Sequence, residues 1–151
     1  MTQAAECYNR TTGPYKLAER THYGLIGNAE QLLFRYNLKK RGKETYFCSF
    51  SPVGIAFLLY AIFIPLRARY RTIIMKRFDV PEYIRIVEQY KPTSLHAPKT
   101  YLQKLLQQTS GADFSSVTSI RTGGTIIPFK MCEDWTKLHG SPCEITCGMT
   151  E

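Results

Sequence analysis

The chain has little that would commit it to a membrane, a metal centre or a secreted scaffold. Its longest apolar run, residues 55–66, contains Pro65 and is too short to cross a bilayer, and the N-terminus has no basic region followed by an apolar block. We therefore expect no membrane span and no secretory signal. The five cysteines (Cys7, Cys48, Cys132, Cys143 and Cys147) are odd in number and lack Cys-x-x-Cys spacing, which argues against a zinc site and fits reduced thiols in a cytosol-like compartment. Cys143 and Cys147 are four apart, but Pro142 and the β-prone residues 144–146 oppose the helix that would align them. Histidine is scarce as well. His22, His96 and His139 have no visible Ser or Cys partner in a strained turn, so nucleophilic catalysis has little support. Each reads as a surface or core polar residue, with His22 the exception because it stands at a helix start beside a polar loop.

Acidic residues are also few: 12 Asp and Glu against 20 Lys and Arg give a net charge of +8. The surplus gathers in Lys39-Lys40-Arg41-Gly42-Lys43 and in Arg67-Ala68-Arg69-Tyr70-Arg71, so a polyanionic partner has to be considered. The first cluster falls where a helix gives way to Gly, where the helix dipole favours cations. The second alternates as a solvent-facing strand or loop would. No aromatic-and-basic reader motif accompanies the charge, so nucleic acid is not the favoured partner. Internal repeats and low-complexity stretches are missing too. What is present is globular: 151 residues, 44% hydrophobic and 21% charged, suit one domain.

Periodicity alternates between strand-like and helix-like segments. A short apolar run at residues 4–8 precedes the polar loop Asn9-Arg10-Thr11-Thr12-Gly13-Pro14-Tyr15-Lys16 and then a helix, an order that reads strand, loop, helix. Residues 21–38 carry Leu25, Ala29, Leu32, Leu33 and Tyr36 at spacings of three and four, with Thr21 placed to cap. Residues 46–50 are β-prone, and 52–66 read as a helix buried on several sides. Residues 71–75 are again a strand.

Asp79-Val80-Pro81-Glu82 is a helix start that puts Val80, Tyr83, Ile84, Val87 and Tyr90 on one face. Residues 93–96 form a strand, and Pro98 opens a helix with Tyr101, Leu102, Leu105 and Leu106 inward, stopped by Gly111. Residues 117–121 are a strand entering the Gly123-Gly124 turn, 128–138 a helix with Trp135 packed on the sheet, and 143–147 the last strand. This alternation predicts an α/β fold with a mostly parallel sheet flanked by helices. Ligands bind beyond the carboxyl ends of such strands, where the loops after Tyr8, Arg121 and Cys147 would lie.

Two of those loops carry nucleotide chemistry. The first can gather hydroxyls, amides and Lys16 around a phosphate. At the far end, Cys147-Gly148-Met149-Thr150-Glu151 sets a hydroxyl for a phosphate oxygen beside a carboxylate for Mg²⁺.

With these residues in place, the chain resembles the adenylate-forming (AMP-binding) superfamily of acyl-CoA synthetases, 4-coumarate–CoA ligases and beetle-type luciferases. Thr11-Thr12-Gly13, Lys16 and Thr21-His22 fall in the spacing of its phosphate loop Ser-Gly-Thr-Thr-Gly-x-Pro-Lys-Gly followed by Thr-His. Thr122-Gly123-Gly124-Thr125 is similar to its Gly-Gly-Ala-Pro-like turn, and residues 147–151 to its Tyr-Gly-x-Thr-Glu motif. The stretch Ile73-Ile74-Met75-Lys76-Arg77-Phe78-Asp79 looks like its strand-to-helix crossing.

The resemblance implies a carboxylic acid–CoA ligase: ATP converts the acid to an acyl-adenylate, and the acyl group then passes to coenzyme A. It implies ATP phosphate binding by Thr11, Thr12, Gly13, Lys16 and Thr150, a nucleotide and acyl pocket at Gly123, Gly124, Thr125, Cys147 and Gly148, and Mg²⁺ at Glu151. It also implies fatty acid or phenylpropanoid metabolism in the cytoplasm or a peroxisome. The motifs are degenerate. Asn9-Arg10 replaces Ser-Gly, Tyr15 the loop Pro, Leu17 the next Gly and Cys147 the adenine-stacking aromatic, while Ile55 replaces the His of a Pro-x-x-His element. The expectation is a partial adenylation domain over residues 1–151, without the family's C-terminal domain and inactive alone. Two other readings stand beside it: a non-catalytic nucleotide-binding or interaction module, and a basic nucleic-acid binder.

Overall fold

The computed structural model describes residues 3–8, 16–36, 44–49, 52 and 54–148. The phosphate-loop residues Thr11, Thr12 and Gly13, the basic cluster at 39–43 and the terminal pair Thr150 and Glu151 lie outside the described residues.

The chain opens with a hairpin. Strand β1 (Gln3–Tyr8) pairs antiparallel with β2 (Lys16–Thr21), from Gln3 opposite Thr21 to Tyr8 opposite Lys16. This corrects the strand, loop, helix order: residues 16–21 pair with β1 instead of forming a loop, and the two strands form a sheet of their own. The loop after Tyr8 therefore does not leave the carboxyl end of a parallel strand. Helix α1 (His22–Arg35) begins where expected, because Thr21 stays extended and its hydroxyl accepts the Gly24 N–H at 3.0 Å. Leu25, Ala29 and Leu33 form its buried face.

The main sheet has five parallel strands in the order β4-β3-β5-β6-β7, namely β3 (Thr45–Cys48), β4 (Arg71–Ile74), β5 (Ser94–His96), β6 (Ser119–Gly123) and β7 (Cys143–Thr146). From β3 the chain goes out to β4, returns across β3 to β5 and continues outward to β7. The direction of travel reverses beside β3 and β5, the place where such sheets leave a crevice at their carboxyl edge.

Strand alternation divides the molecule into two layers. Phe47 points into one core, with residues of α4 (Val80–Tyr90), α5 (Lys99–Gln108) and α6 (Phe129–His139); Tyr46 and Cys48 point into the other, with α1 and the helix after β3. That helix has three stretches: α2 (Ile55–Phe57), a π-helical stretch (Leu58–Phe63) and α3 (Ile64–Ala68). The Ile64 N–H bonds the Leu59 carbonyl five residues back. Pro65 follows immediately, and a proline ring in a regular helix would clash with the carbonyl four residues earlier, so the wider turn relieves it.

The helix expected over 52–66 thus runs on to Ala68, and Arg67 lies in its last turn, paired with Glu30, rather than in a strand or loop. Helix α4 is capped by Asp79, which accepts the Glu82 N–H at 3.1 Å. Its buried face takes Ile86; Tyr90, next to the left-handed Lys91 cap, is exposed instead of inward. Helix α5 ends at Gln108, and its stop is Thr109 at the C-cap, whose hydroxyl donates to the Leu105 carbonyl; Gly111 (φ 85°) shapes the turn beyond. Trp135 is fully buried against the sheet and donates to Ser141 Oγ at 3.0 Å.

Candidate functional site

The strands that fill a parallel sheet are usually apolar on both faces, but β5 and β6 are not. Leu95 and Ile120 join the α4–α6 core, whereas the alternate positions Ser94, His96 and Arg121 put polar groups on the side of α1 to α3. Arg121 is only 2% exposed. Its Nη1 donates to Ser94 Oγ at 2.7 Å, its guanidinium lies 4.0 Å over the ring of Tyr36 at the end of α1, and its Nε is 2.8 Å from Glu144 Oε2 on β7. That last pair meets by distance, yet neither atom is aligned for a hydrogen bond, so the attraction is chiefly between charges. Burying a guanidinium is costly unless its charge is balanced, and Ser94 on β5, Glu144 on β7 and the Tyr36 ring at the end of α1 share that task.

His96 is the last residue of β5 and is 6% exposed. Its Nδ1 lies 3.0 Å from Tyr46 Oη, and the ring meets Tyr60 edge-on with centroids 4.6 Å apart. Burial, reinforced by the Arg121 guanidinium, lowers its pKa to about 3, so the imidazole is neutral at physiological pH. Burial raises Tyr46 and Tyr60 well above the usual phenol range, and both remain protonated donors.

A cavity of about 1040 Å³ opens at the carboxyl edge of the sheet beside this layer. Its lining comes from separate stretches of chain: Arg20, Thr21, Gly24 and Leu25 at the β2–α1 junction; Ile55, Leu59 and Tyr60; His96, Lys99 and Thr100; Gly123, Gly124 and Thr125; and Thr146, Cys147 and Gly148. The turn after β6 and the end of β7 are held close by their glycine. A Cβ at Gly123 would stand 2.3 Å from the Thr146 carbonyl oxygen, so Gly123 is required by the neighbouring strand. Gly124 takes a left-handed φ of 80° and has open space where its side chain would be.

Of the residues singled out by sequence, Gly123, Gly124, Thr125, Cys147 and Gly148 come together around this one cavity. Lys16 begins β2, and five strand steps separate its backbone from Thr21, about 17 Å at the usual strand rise. Thr11, Thr12, Gly13, Thr150 and Glu151 are outside the described residues. His22 is exposed at the start of α1, and the histidine in the cavity wall is His96. Sequence reading also passed over Arg20 and Arg121. The signal available was the polar alternation Ser94, His96, Arg121 inside strands whose other face is apolar. Among the described residues no three His, Cys, Asp or Glu side chains gather to hold a metal.

The comparisons with known proteins agree with this architecture. The chain is 26% identical over 134 residues to a probable CoA ligase CCL5 of Humulus lupulus and 24% identical over 145 residues to the long-chain-fatty-acid–CoA ligase of Bacillus subtilis strain 168. These matches cover 84% and 93% of this chain but 24% and 26% of those relatives, so the chain spans about a quarter of their length. Among solved structures, the o-succinylbenzoate–CoA synthetase MenE of Bacillus subtilis with ATP and magnesium superposes with a TM-score of 0.83 at 23% identity, covering 97% of this chain and 30% of that one. ATP-bound MatB of Rhodopseudomonas palustris gives 0.86 at 21% identity, with 97% and 29% covered. The family model described as AMP-binding enzyme matches residues 11–151, and the chain belongs to that family.

Proposed function

We propose that this chain is the nucleotide-facing part of a carboxylic acid–CoA ligase, binding ATP with Mg²⁺ and an acid in the cavity at the sheet's carboxyl edge. The observation that carries the reading is the convergence of the β2–α1 junction, the Gly123-Gly124-Thr125 turn and the Thr146-Cys147-Gly148 segment on a single hollow. Bare glycine backbone and clustered threonine hydroxyls suit a ligand that brings its own negative charge. In the assignment made from resemblance, Thr11, Thr12, Gly13, Lys16 and Thr150 hold phosphates, Gly123, Gly124, Thr125, Cys147 and Gly148 flank the nucleotide and acyl group, and Glu151 meets Mg²⁺. A magnesium ion of this kind is held by one or two carboxylates plus the phosphates, so it does not require a preformed protein cage. Joined to ATP, the acid would become an acyl-adenylate with loss of pyrophosphate, and coenzyme A would take the acyl group next. The 151 residues by themselves are expected to bind without turning over.

Calorimetric titration of the chain with Mg-ATP tests this reading. Saturable heat that weakens about tenfold in Lys16→Ala is expected, because a charge-assisted phosphate contact is lost. No heat with the unaltered chain would remove the nucleotide claim. The net charge of +8 is the observation that favours nucleic acid instead. Against it, Arg67, Arg85, Lys91 and Lys130 are each paired with an acid. Affinity for single-stranded or duplex nucleic acid that falls steeply along a salt series would revive that alternative.

A further inference from the structure

The fold pairs two cysteines whose spacing gives no sign of it. Cys143 and Cys147 stand four apart, yet it is Cys132, eleven residues before Cys143, that meets it. Helix α6 ends in the left-handed Gly140 (φ 74°), whose N–H bonds the Thr136 carbonyl, and the Gly140-Ser141-Pro142 turn sends the chain back along the helix as β7. The bond from Trp135 to Ser141 holds that turn to the helix. Cys132, about one turn before Trp135, is 4% exposed. Cys143 is the first residue of β7 and is half-buried against the cluster that contains Met131 and Trp135. The two thiols are hydrogen-bonded to each other, and neither is in a disulfide. A helix residue and a strand residue are thus held sulfur to sulfur by packing that does not depend on the cavity.

We propose that Cys132 and Cys143 form a latent disulfide site, closed by a low-molecular-weight disulfide of the glutathione type. In the first exchange the thiolate of Cys143, the more accessible of the two, attacks one sulfur of the small disulfide; a mixed disulfide forms and one small thiol leaves. The Cys132 thiolate then attacks the Cys143 sulfur, which joins the two side chains and releases the second small thiol. Two electrons pass from the protein to the small disulfide, and the two thiol protons end on its reduced halves. The new bond ties α6 to the strand whose end, from Thr146 to Gly148, lines the cavity. Burial, reinforced by the Cys132 contact, pushes the Cys143 thiol up, so little thiolate is present near neutrality and the first exchange is slow. The second joins groups already in contact, so closure follows quickly once the first has occurred. Cys147 is exposed and reacts more readily, but the length of β7, about 10 Å at the usual strand rise, separates it from Cys143. It stops at the mixed disulfide.

The test oxidises the full 151-residue chain with glutathione disulfide, blocks the remaining thiols with iodoacetamide and maps the products by digestion and mass spectrometry. The expected product has Cys132 joined to Cys143, lighter than the reduced pair by its two thiol hydrogens, with Cys147 alkylated or carrying glutathione. Closing a ring of about 12 residues also restricts the unfolded chain, so the Tm of the oxidised chain should lie roughly 5–10 °C above that of the same sample after reduction. Closure should speed up about tenfold per pH unit between about pH 7 and pH 9, because each unit multiplies the thiolate. Cys147→Ser should keep both the bond and the gain in Tm, and Cys143→Ala should lose both. The mapping is made on the unaltered chain, so it decides the matter even if a variant fails to fold. Alkylation of both Cys132 and Cys143 after oxidation overturns the proposal. So does a bond from either of them to another cysteine, a closure rate that ignores pH, or a linked product with no rise in Tm.

Discussion

The two faces of the parallel sheet do different work. On the α4–α6 face, Phe47, Tyr83, Val87, Leu95, Leu102, Leu105, Ile120 and Trp135 are all fully buried and form one apolar cluster. On the α1–α3 face the strands contribute Tyr46, Ser94, His96 and Arg121, equally buried but polar, and the helix opposite contains a π-helical stretch. One face is built for cohesion. The other accepts desolvated charge and an irregular helix, and the cavity lies on its side. A protein gives up easy apolar burial where a site has to be shaped, and the contrast between the faces locates that site independently of any motif.

The difference can be broken from either side. Trp135→Ala on the cohesive face should cost about 4 kcal/mol in urea denaturation, because a large ring and its bond to Ser141 disappear together. A loss under about 1 kcal/mol would mean that α6 repacks and that the face is less rigid than described.

On the polar face, pH should act through His96. Its folded pKa of about 3 is below the ordinary imidazole value of 6.5, so between these values the unfolded chain binds the proton and the folded chain does not. Stability is then intact above about pH 6.5 and falls with acidification, by roughly 1 kcal/mol per pH unit from this group. His139 is also lowered by burial and adds in the same direction. Denaturation of wild type and His96→Gln between pH 7 and 4.5 should show the shallower slope in the variant; parallel curves would mean that His96 titrates normally.

Smaller effects sharpen the picture. Arg121→Met removes the charge that Glu144 balances and should cost about 2 kcal/mol, recovered in part by adding Glu144→Gln. It should also raise the His96 pKa, which imidazole NMR shifts would follow. Asp79→Ala, at the capped start of α4 on the cohesive side, should cost about 1 kcal/mol and leave His96 unaffected. Movement of the His96 resonance in that variant would show the two faces to be coupled.

Much of the fold was legible because its signals are local. Thr21 and Asp79 cap the helices they were expected to cap, the apolar spacing located α1, α4 and α5, and α6 was expected at 128–138. The parallel sheet followed from the alternation of short strands with helices. Long-range pairing was not legible: residues 16–21 carry no mark that distinguishes a strand partner for β1 from a loop leading into α1. Nor was the extent of the helix around Pro65, whose π-helical stretch depends on how the chain accommodates the ring against its neighbours.

The candidate site divides in the same way. Gly123, Gly124, Cys147 and Gly148 were visible as motif fragments, since backbone clearance is a property of the residue itself. His96 and Arg121 were read as ordinary polar and strand residues, because their importance depends on what stands opposite. Sequence by itself determined the α/β class, the capped helices and the family, through periodicity and short motifs that act over a few residues. Tertiary structure alone decided that β1 and β2 form a separate hairpin, that Gly123 is required by Thr146, and that a neutral imidazole lines the cavity. These are consequences of strands distant in the chain lying side by side, and no local pattern encodes that proximity.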